Sequence, residues 1–337
     1  MKYLVVGDTH IPTAKKYYDH PAIFNWNILR DELLQAVEKY NPSNIVFLGD
    51  VFDPPRISPD LMSPQIFLNF VFFLKEVWDK YTIPFYILKG NHDGNTLKYL
   101  EPFKFVKVIE EPYYDKTEKA AFFPYKEIYN LKDYKTWNIK IAFGHVAIGR
   151  VKIGSWELAG IAHGEIDRFE NSKWFLGHIH HRYNFNTLTS EVIYVGSAYP
   201  TNHNDPNEMG YMLINDDLSY EYISIDPKKF ITYHTFESID EANEFLTKEE
   251  GKFAIKIRVD DVTLKENDML RTIQNNEKVY ELVIEHREKE EILLNFKVDA
   301  EKYTLFDYLK MFVEANNFDP RILDIYKNLI NDDTQKS

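Results

Sequence analysis

One recurrence constrains this 337-residue chain more than any other feature. Five times in the first 180 residues a short apolar run stops and gives way to glycine followed by Asp, Asn or His. The five clusters are Gly7-Asp8-Thr9-His10, Gly49-Asp50-Val51-Phe52-Asp53, Gly90-Asn91-His92-Asp93, Gly144-His145 and Gly177-His178-Ile179-His180. The runs before them, rich in Val, Ile, Leu and Phe, are too short for helices and read as strands buried on both faces. Strands alternating with helical stretches specify a layered α/β domain. Ligand sites of such sheets gather at the carboxyl ends of the strands. Glycine there lets the backbone turn sharply and lets a metal or phosphate come close.

The pattern predicts strands at Tyr3–Val6, Asn44–Leu48, Phe85–Leu88, Ile139–Phe143, Trp174–Leu176 and Val192–Val195. Leu29, Leu33 and Val37 repeat every four residues and predict a helix over Phe24–Tyr40. Ser63 and Pro64 read as an N-cap and first-turn proline for a second helix ending near Lys80, whose Ile66, Phe67, Phe70, Phe73, Leu74 and Val77 form a core stripe. The pattern changes after Asp226-Pro227. A βα-like stretch with a helix near Ile239–Leu246 precedes strands at Phe253–Val259, Val279–Glu285 and Ile292–Val298. Two amphipathic helices follow, one from Leu305 to Ala315, the other capped by Asp319-Pro320 and ending near Leu329-Ile330.

A single Asp-x-His or His-x-His is a weak sign, and Gly-Asn-His-Asp alone reads as a turn. Five such clusters at strand ends are a different matter. Neighbouring carboxylates repel and buried imidazoles need partners, so gathering these groups without a cation is costly. Mixed carboxylate, amide and imidazole donors suit Mn, Fe or Zn better than Ca or Mg. Seven candidate ligands exceed the needs of one ion and suffice for two if one Asp bridges. Two ions about 3.5–4 Å apart clamp the attacking and leaving oxygens of a phosphoryl displacement and lower the pKa of water. The residues therefore point to phosphoester hydrolysis.

Composition removes other classes. Hydrophobic residues make up 44% of the chain, which excludes a largely disordered protein. The absence of cysteine excludes a disulfide scaffold, thiolate zinc sites and a cysteine nucleophile. The run Tyr3-Leu4-Val5-Val6 is too short for a signal peptide, and no apolar stretch reaches the length of a membrane span, so a soluble cytoplasmic protein is expected. The net charge of −13 argues against nucleic-acid binding through a general basic surface. Residues 228–337 hold 17 basic and 24 acidic residues, net −7, which leaves −6 for the first 227.

The ordered clusters resemble the calcineurin-like metallophosphoesterase superfamily, whose pattern is D-x-H, G-D-x-x-D, G-N-H-D/E, G-H and G-H-x-H. The resemblance implies a layered α/β β-sandwich flanked by helices and two divalent cations, manganese first, with iron, zinc or magnesium as the other candidates. It implies that Asp8, His10 and His180 hold one ion, that Asn91, His145 and His178 hold the other, and that Asp50 bridges them. His92 is then no ligand: it faces the scissile phosphate and protonates the leaving oxygen. Asp53 stands behind the ligands, and Asp93 is expected to orient His92.

Within the superfamily the chain resembles the SbcD-type DNA repair nucleases, especially those of tailed phages. Three features carry this: the turn Pro54-Pro55-Arg56-Ile57-Ser58-Pro59, the stretch Tyr194-Val195-Gly196-Ser197 leading to Glu208-Met209-Gly210-Tyr211, and the position of the segments after Pro227. By that likeness residues 1–227 are the nuclease domain, residues 228–300 a small α+β DNA-capping domain, and the helix pair at 303–331 the dock for an SbcC-like coiled-coil ATPase. A homodimer through catalytic-domain helices is implied, with DNA as substrate, no membrane association, and the cytoplasm of a bacterium or phage-infected host as the location. The acidity is compatible with DNA, because two divalent cations add positive charge where a phosphate must bind and net charge says nothing about one cleft. It implies weak DNA affinity for the subunit alone.

Three rival readings share these residues. A Ser/Thr phosphatase of the superfamily shows Gly-Asp-x-x-Asp-Arg-Gly and Gly-Asn-His-Glu, whereas here Pro54 follows Asp53 and Asp93 closes the third cluster. A small-molecule or cyclic-nucleotide phosphodiesterase leaves the residues after Pro227 without work. A DNA-end scaffold with dispensable catalysis sits poorly with an intact ligand set. Ile11-Pro12 departs from the apolar residue and glycine that relatives place after the first His, so that loop is expected to bend differently. His20, His163, His181, His203, His234 and His286 read as ordinary loop or core histidines.

Overall fold

The computed structural model describes residues 2–12, 20–53, 64–127, 129–153, 156–259 and 264–286. The Pro54–Pro59 turn, Ser63, the strand at 292–298 and the helices expected within 303–331 fall outside the described residues.

In chain order the elements are β1 (Tyr3–Val6), β2 (Ile11–Pro12), α1 (Pro21–Tyr40), β3 (Asn44–Phe47), β4 (Phe52–Asp53), α2 (Pro64–Tyr81), β5 (Phe85–Leu88) and β6 (Val106–Ile109). Next come β7 (Tyr113–Asp115), β8 (Ala120–Phe123), β9 (Ile141–Gly144), β10 (Arg150–Ile153), β11 (Trp156–Ala159), α3 (His163–Ile166) and β12 (Lys173–Leu176). Then follow β13 (Tyr183–Asn186), β14 (Glu191–Tyr194), β15 (Gly210–Ile214) and β16 (Tyr220–Ser224). The last are β17 (Ile231–Phe236), α4 (Ile239–Lys248), β18 (Lys252–Val259), α5 (Leu264–Gln274) and β19 (Val279–His286).

Two six-stranded sheets build the sandwich. The first runs β16-β15-β1-β3-β5-β6 and the second β13-β14-β12-β9-β8-β7. Each has four adjacent parallel strands, β1, β3, β5 and β6 in one, β8, β9, β12 and β14 in the other. Successive side chains on a strand point to opposite faces, and here both faces are covered. Tyr3 and Val5 face the second sheet's Phe122, Phe143 and Phe175, while Leu4 and Val6 face the helices. That double burial explains why the strands read as continuous apolar runs. Leu29, Leu33 and Val37 of α1 and Phe70, Leu74 and Val77 of α2 fill the layer over the first sheet. Each such buried side chain contributes roughly 1.5–3 kcal/mol. Trp174, Leu176, Val192 and Tyr194 cover the outer face of the second sheet against Leu131, Ile166 and Phe169.

Helix α1 begins three residues before the predicted start. His20 caps it, its Nδ1 accepting from Ala22 N at 3.2 Å, and Pro21 takes the first turn. Imidazole is a rare cap, so the sequence gives little sign of it. Strands β13 and β16 lie at sheet edges and are partly exposed, which weakens their pattern.

Beyond Pro227, β17, β18 and β19 form a parallel three-stranded sheet joined through α4 and α5, with Ile255, Ile257, Leu246 and Ile273 in its core. Among the described strands β17 pairs only with β18, and asparagine side chains meet its other edge. Buried Asn25 of α1 donates to Ile231 O at 3.0 Å and accepts from Ile231 N at 2.8 Å. Asn207 does the same for Tyr233, donating at 2.9 Å and accepting at 3.0 Å. Each amide substitutes for a peptide group of a neighbouring strand. Among the described residues no helix is long and apolar enough to cross a membrane.

Candidate metal centre

The five polar clusters follow β1, β3, β5, β9 and β12, neighbouring parallel strands of the two sheets, and meet at one end of the sandwich. The backbone is bent to bring them there. His10, Asp50 and His178 adopt φ values of 43°, 47° and 77°, in the left-handed region that side chains disfavour. Two glycines are required by space. A Cβ on Gly49, itself at φ 106°, would lie 2.5 Å from His145 Nδ1, and one on Gly90 would lie 2.0 Å from Asp50 Oδ1.

Hydrogen bonds lock the loops to each other. The Asp50 carbonyl accepts from the amides of Thr9 at 3.1 Å and His10 at 2.9 Å, and its Oδ1 accepts from His92 N at 2.7 Å. The Asp8 carboxylate accepts from His178 N at 3.0 and 3.1 Å, which ties the first sheet to the second. The Ile11-Pro12 departure forms a two-residue parallel bridge with Phe52-Asp53, so the first loop stays extended beside the second.

Donor atoms converge in overlapping groups. Asp8, His10 and His180 offer ligand atoms within 4.8 Å of one another, and so do Asp50, His145 and His178. His10 Nε2 and His180 Nε2 face each other at 3.1 Å. Asp50 Oδ2 lies 3.2 Å from His145 Nε2 and 3.6 Å from His10 Nε2, between the two groups. Asn91 Oδ1 lies 3.1 Å from His145 Nε2, whose Nδ1 donates to the Leu48 carbonyl at 2.9 Å. All seven residues expected as ligands are therefore together. Two carboxylates, four imidazoles and an amide in so small a volume fit divalent cations of the borderline class.

The electrostatics agree. Burial alone would lower His145, yet Asp50 and Asp8 push it up to about 9. His180 is partly buried, which alone would lower it, yet it is also held up to about 9, by Asp205 first and then by Asp8 and Asp50. A field that strong at a nitrogen favours positive charge there. His178 behaves oppositely: burial and the neighbouring His145 hold it down to about 4, leaving a neutral imidazole.

His92 stands at the rim, half-buried, its ring edge-on to His10 at 4.8 Å. It also lies within ligand reach of His10 and Asp50. Asp53 Oδ1 lies 3.2 Å from its Nδ1, and that hydrogen bond raises the pKa of His92 against the opposing effect of burial. The expected role of Asp93 is corrected. Its Oδ1 accepts from Phe52 N at 2.9 Å and its Oδ2 from Gly90 N at 2.7 Å, so it joins two loops and leaves the orientation of His92 to Asp53. Burial pushes the Asp93 carboxyl up to about 7.

Sequence reasoning missed two contributors. The Leu48 carbonyl carries no side-chain signal. Asp205, 2.8 Å from His180 Nδ1, lies 25 residues downstream in a turn-rich loop where an Asp needs no other explanation. His163 stacks on Phe185, His203 meets the Tyr233 ring edge-on, and His234 packs among Phe236, Phe245 and Phe253.

A family model for calcineurin-like phosphoesterases matches residues 1–249. No curated protein matches the sequence. Among solved structures the chain is similar to vacuolar protein sorting 29 from Cryptosporidium parvum, at 14% identity and a TM-score of 0.27, over 66% of this chain and 96% of that one.

Proposed function

The chain belongs to the calcineurin-like phosphoesterases, and from that premise we propose that it is a two-cation phosphodiesterase acting on DNA, an SbcD-like nuclease subunit for end processing, recombination and repair. The observation that carries the hydrolytic reading is the His92–Asp53 pair at the rim of the converged donors. Asp8, His10 and His180 would hold one ion, Asn91, His145 and His178 the other, with Asp50 shared. When bound, the cations supply charge neutralisation on a phosphodiester and an acidified water. His92 does the remaining proton work. Asp53 engages its Nδ1 and favours its protonated form, so Nε2 presents a proton to the departing oxygen. Asp93 keeps the two loops in register from below.

The DNA reading draws support from motif order and from the segment after β14. Gly196-Ser197 and Met209-Gly210 bracket the crossing from the second sheet to β15 beside β1, where the nuclease-like stretch was recognised. On this reading the module from residue 228 caps DNA, residues 303–331 bind the ATPase, and manganese is the working metal. A homodimer also belongs to it. Leu68 and Phe72, 43% and 65% exposed, stand on α2 above a groove of about 790 Å³ lined with both signs of charge, including Arg30, Asp31 and Glu76. An apolar patch rimmed by both signs of charge suits a second copy of the chain.

The test is degradation of end-labelled duplex and single-stranded DNA, with and without manganese, beside a cyclic nucleotide. Manganese-dependent loss of the DNA label is the expected result. Turnover of the cyclic nucleotide alone would replace this reading with a small-molecule phosphodiesterase, and turnover of neither with a scaffold.

A further inference from the structure

We propose that Asp205 is a positioning residue for the cation held by Asp8, His10 and His180, and that its loop couples this cation to the β17–β19 module. The proposal rests on the two-cation reading above.

His180 has two ring nitrogens with separate partners. Nε2 faces His10 Nε2 at 3.1 Å, within the convergent group, while Nδ1 donates to Asp205 Oδ1 at 2.8 Å. A carboxylate accepting from Nδ1–H fixes the tautomer, turns the ring and raises the basicity of Nε2, the ligating atom. Asp205 is itself immobilised. Its Oδ2 accepts from Thr201 N at 2.8 Å and Thr201 Oγ1 at 2.7 Å, and its amide donates to Asn202 O at 3.2 Å. Its side chain is 6% exposed against 21% for His180, so the pair is largely screened from water.

The loop is gripped from the far side as well. Two residues beyond Asp205, the Asn207 amide makes both of its hydrogen bonds to the Tyr233 backbone on β17. His203, two residues before, packs edge-on against the Tyr233 ring at 5.1 Å. The segment that orients His180 is thus clamped to the first strand of the module, and a displacement of β17 reaches Nε2 through Asn207, Asp205 and the His180 ring.

Manganese titration by calorimetry, with thermal unfolding alongside, tests this on the full-length chain. Wild type should bind two ions. D205A should bind one of them normally and the other about 10–100-fold more weakly. D205N keeps an acceptor oxygen without its charge and should fall between. Against a His180→Ala background D205A should change nothing further. Asn207→Ala, which leaves Asp205 intact, should weaken the same ion by a smaller factor. Wild-type affinity for both ions in D205A would overturn the assignment, as would equal weakening of both or full additivity with His180→Ala. Unchanged binding in Asn207→Ala would overturn the coupling. A wild-type protein that binds no pair of ions would remove the two-cation reading itself and the proposal with it.

Discussion

The sandwich and the β17–β19 module both contain runs of parallel strands, yet they use their strand ends differently. In the sandwich, strand after strand ends in glycine followed by Asp, Asn or His. Asp8, Asp50 and His145 are almost wholly removed from water. In the module, β17 ends at Phe236-Glu237-Ser238, where Glu237 is exposed and pairs with Arg258 at 3.0 Å, and the Ser238 hydroxyl caps α4 by accepting from Glu241 N at 3.2 Å. Parallel topology offers a ligand position at every strand end, but only glycine followed by a donor fills it. The first region gathers its polar residues into one cluster of donor atoms, and the second uses them for helix starts and surface ion pairs.

Four substitutions test that contrast. Asp50→Ala removes the donor that lies between both groups and should lower hydrolysis on the order of 1000-fold or more, read as initial rate on any phosphodiester the wild type cleaves. His92→Ala should cost roughly 10²–10⁴-fold while two ions remain bound; metal analysis finding one ion would make His92 a ligand. Asn25→Ala strands the buried Ile231 amide and carbonyl and should destabilise by about 1–3 kcal/mol. A denaturant midpoint equal to wild type would mean that this clamp does nothing for the module. The smallest effect concerns acid. Burial holds His234 below its ordinary value, so below about pH 6.5 the unfolded chain takes up a proton that the folded chain resists. Stability therefore falls as pH drops through that range. His234→Phe should flatten this part of the stability–pH curve, and an unchanged slope would assign the acid sensitivity to other groups.

Much of the centre is legible in sequence because its chemistry is locally encoded. Each candidate ligand follows its strand within a few residues, and glycine marks the bend. What depended on loops meeting in space was not legible. Asp53 and Asp93 are carboxylates in similar motifs, and which one reaches His92 is settled where the loops meet, Asp93 being held by the Phe52 and Gly90 amides and Asp53 left to His92. Asp205 belongs to no pattern. Helix α5 reads poorly because its sequence, Leu-Lys-Glu-Asn-Asp-Met-Leu-Arg-Thr-Ile-Gln, shows a weak apolar stripe. Six strands inside the sandwich are legible as continuous apolar runs, whereas buried β8 and β15, with Ala120-Ala121 and Gly210 in their short sequences, escape the pattern along with the edge strands β6, β7, β13 and β16.

A chain without cysteine has no covalent cross-link, but the converged donors come from far apart. His10 and His180 are 170 positions apart, and His145 meets Asn91 across 54. An ion shared by such pairs closes loops that in the unfolded chain would be entropically costly, and closing a loop of about 100 residues is worth roughly 4–5 kcal/mol in the chain-entropy account of a disulfide. Bound metal would thus fasten the two sheets at their open end as a removable staple. Chelation would act on this fold as reduction acts on a secreted one, with ion concentration in place of redox potential.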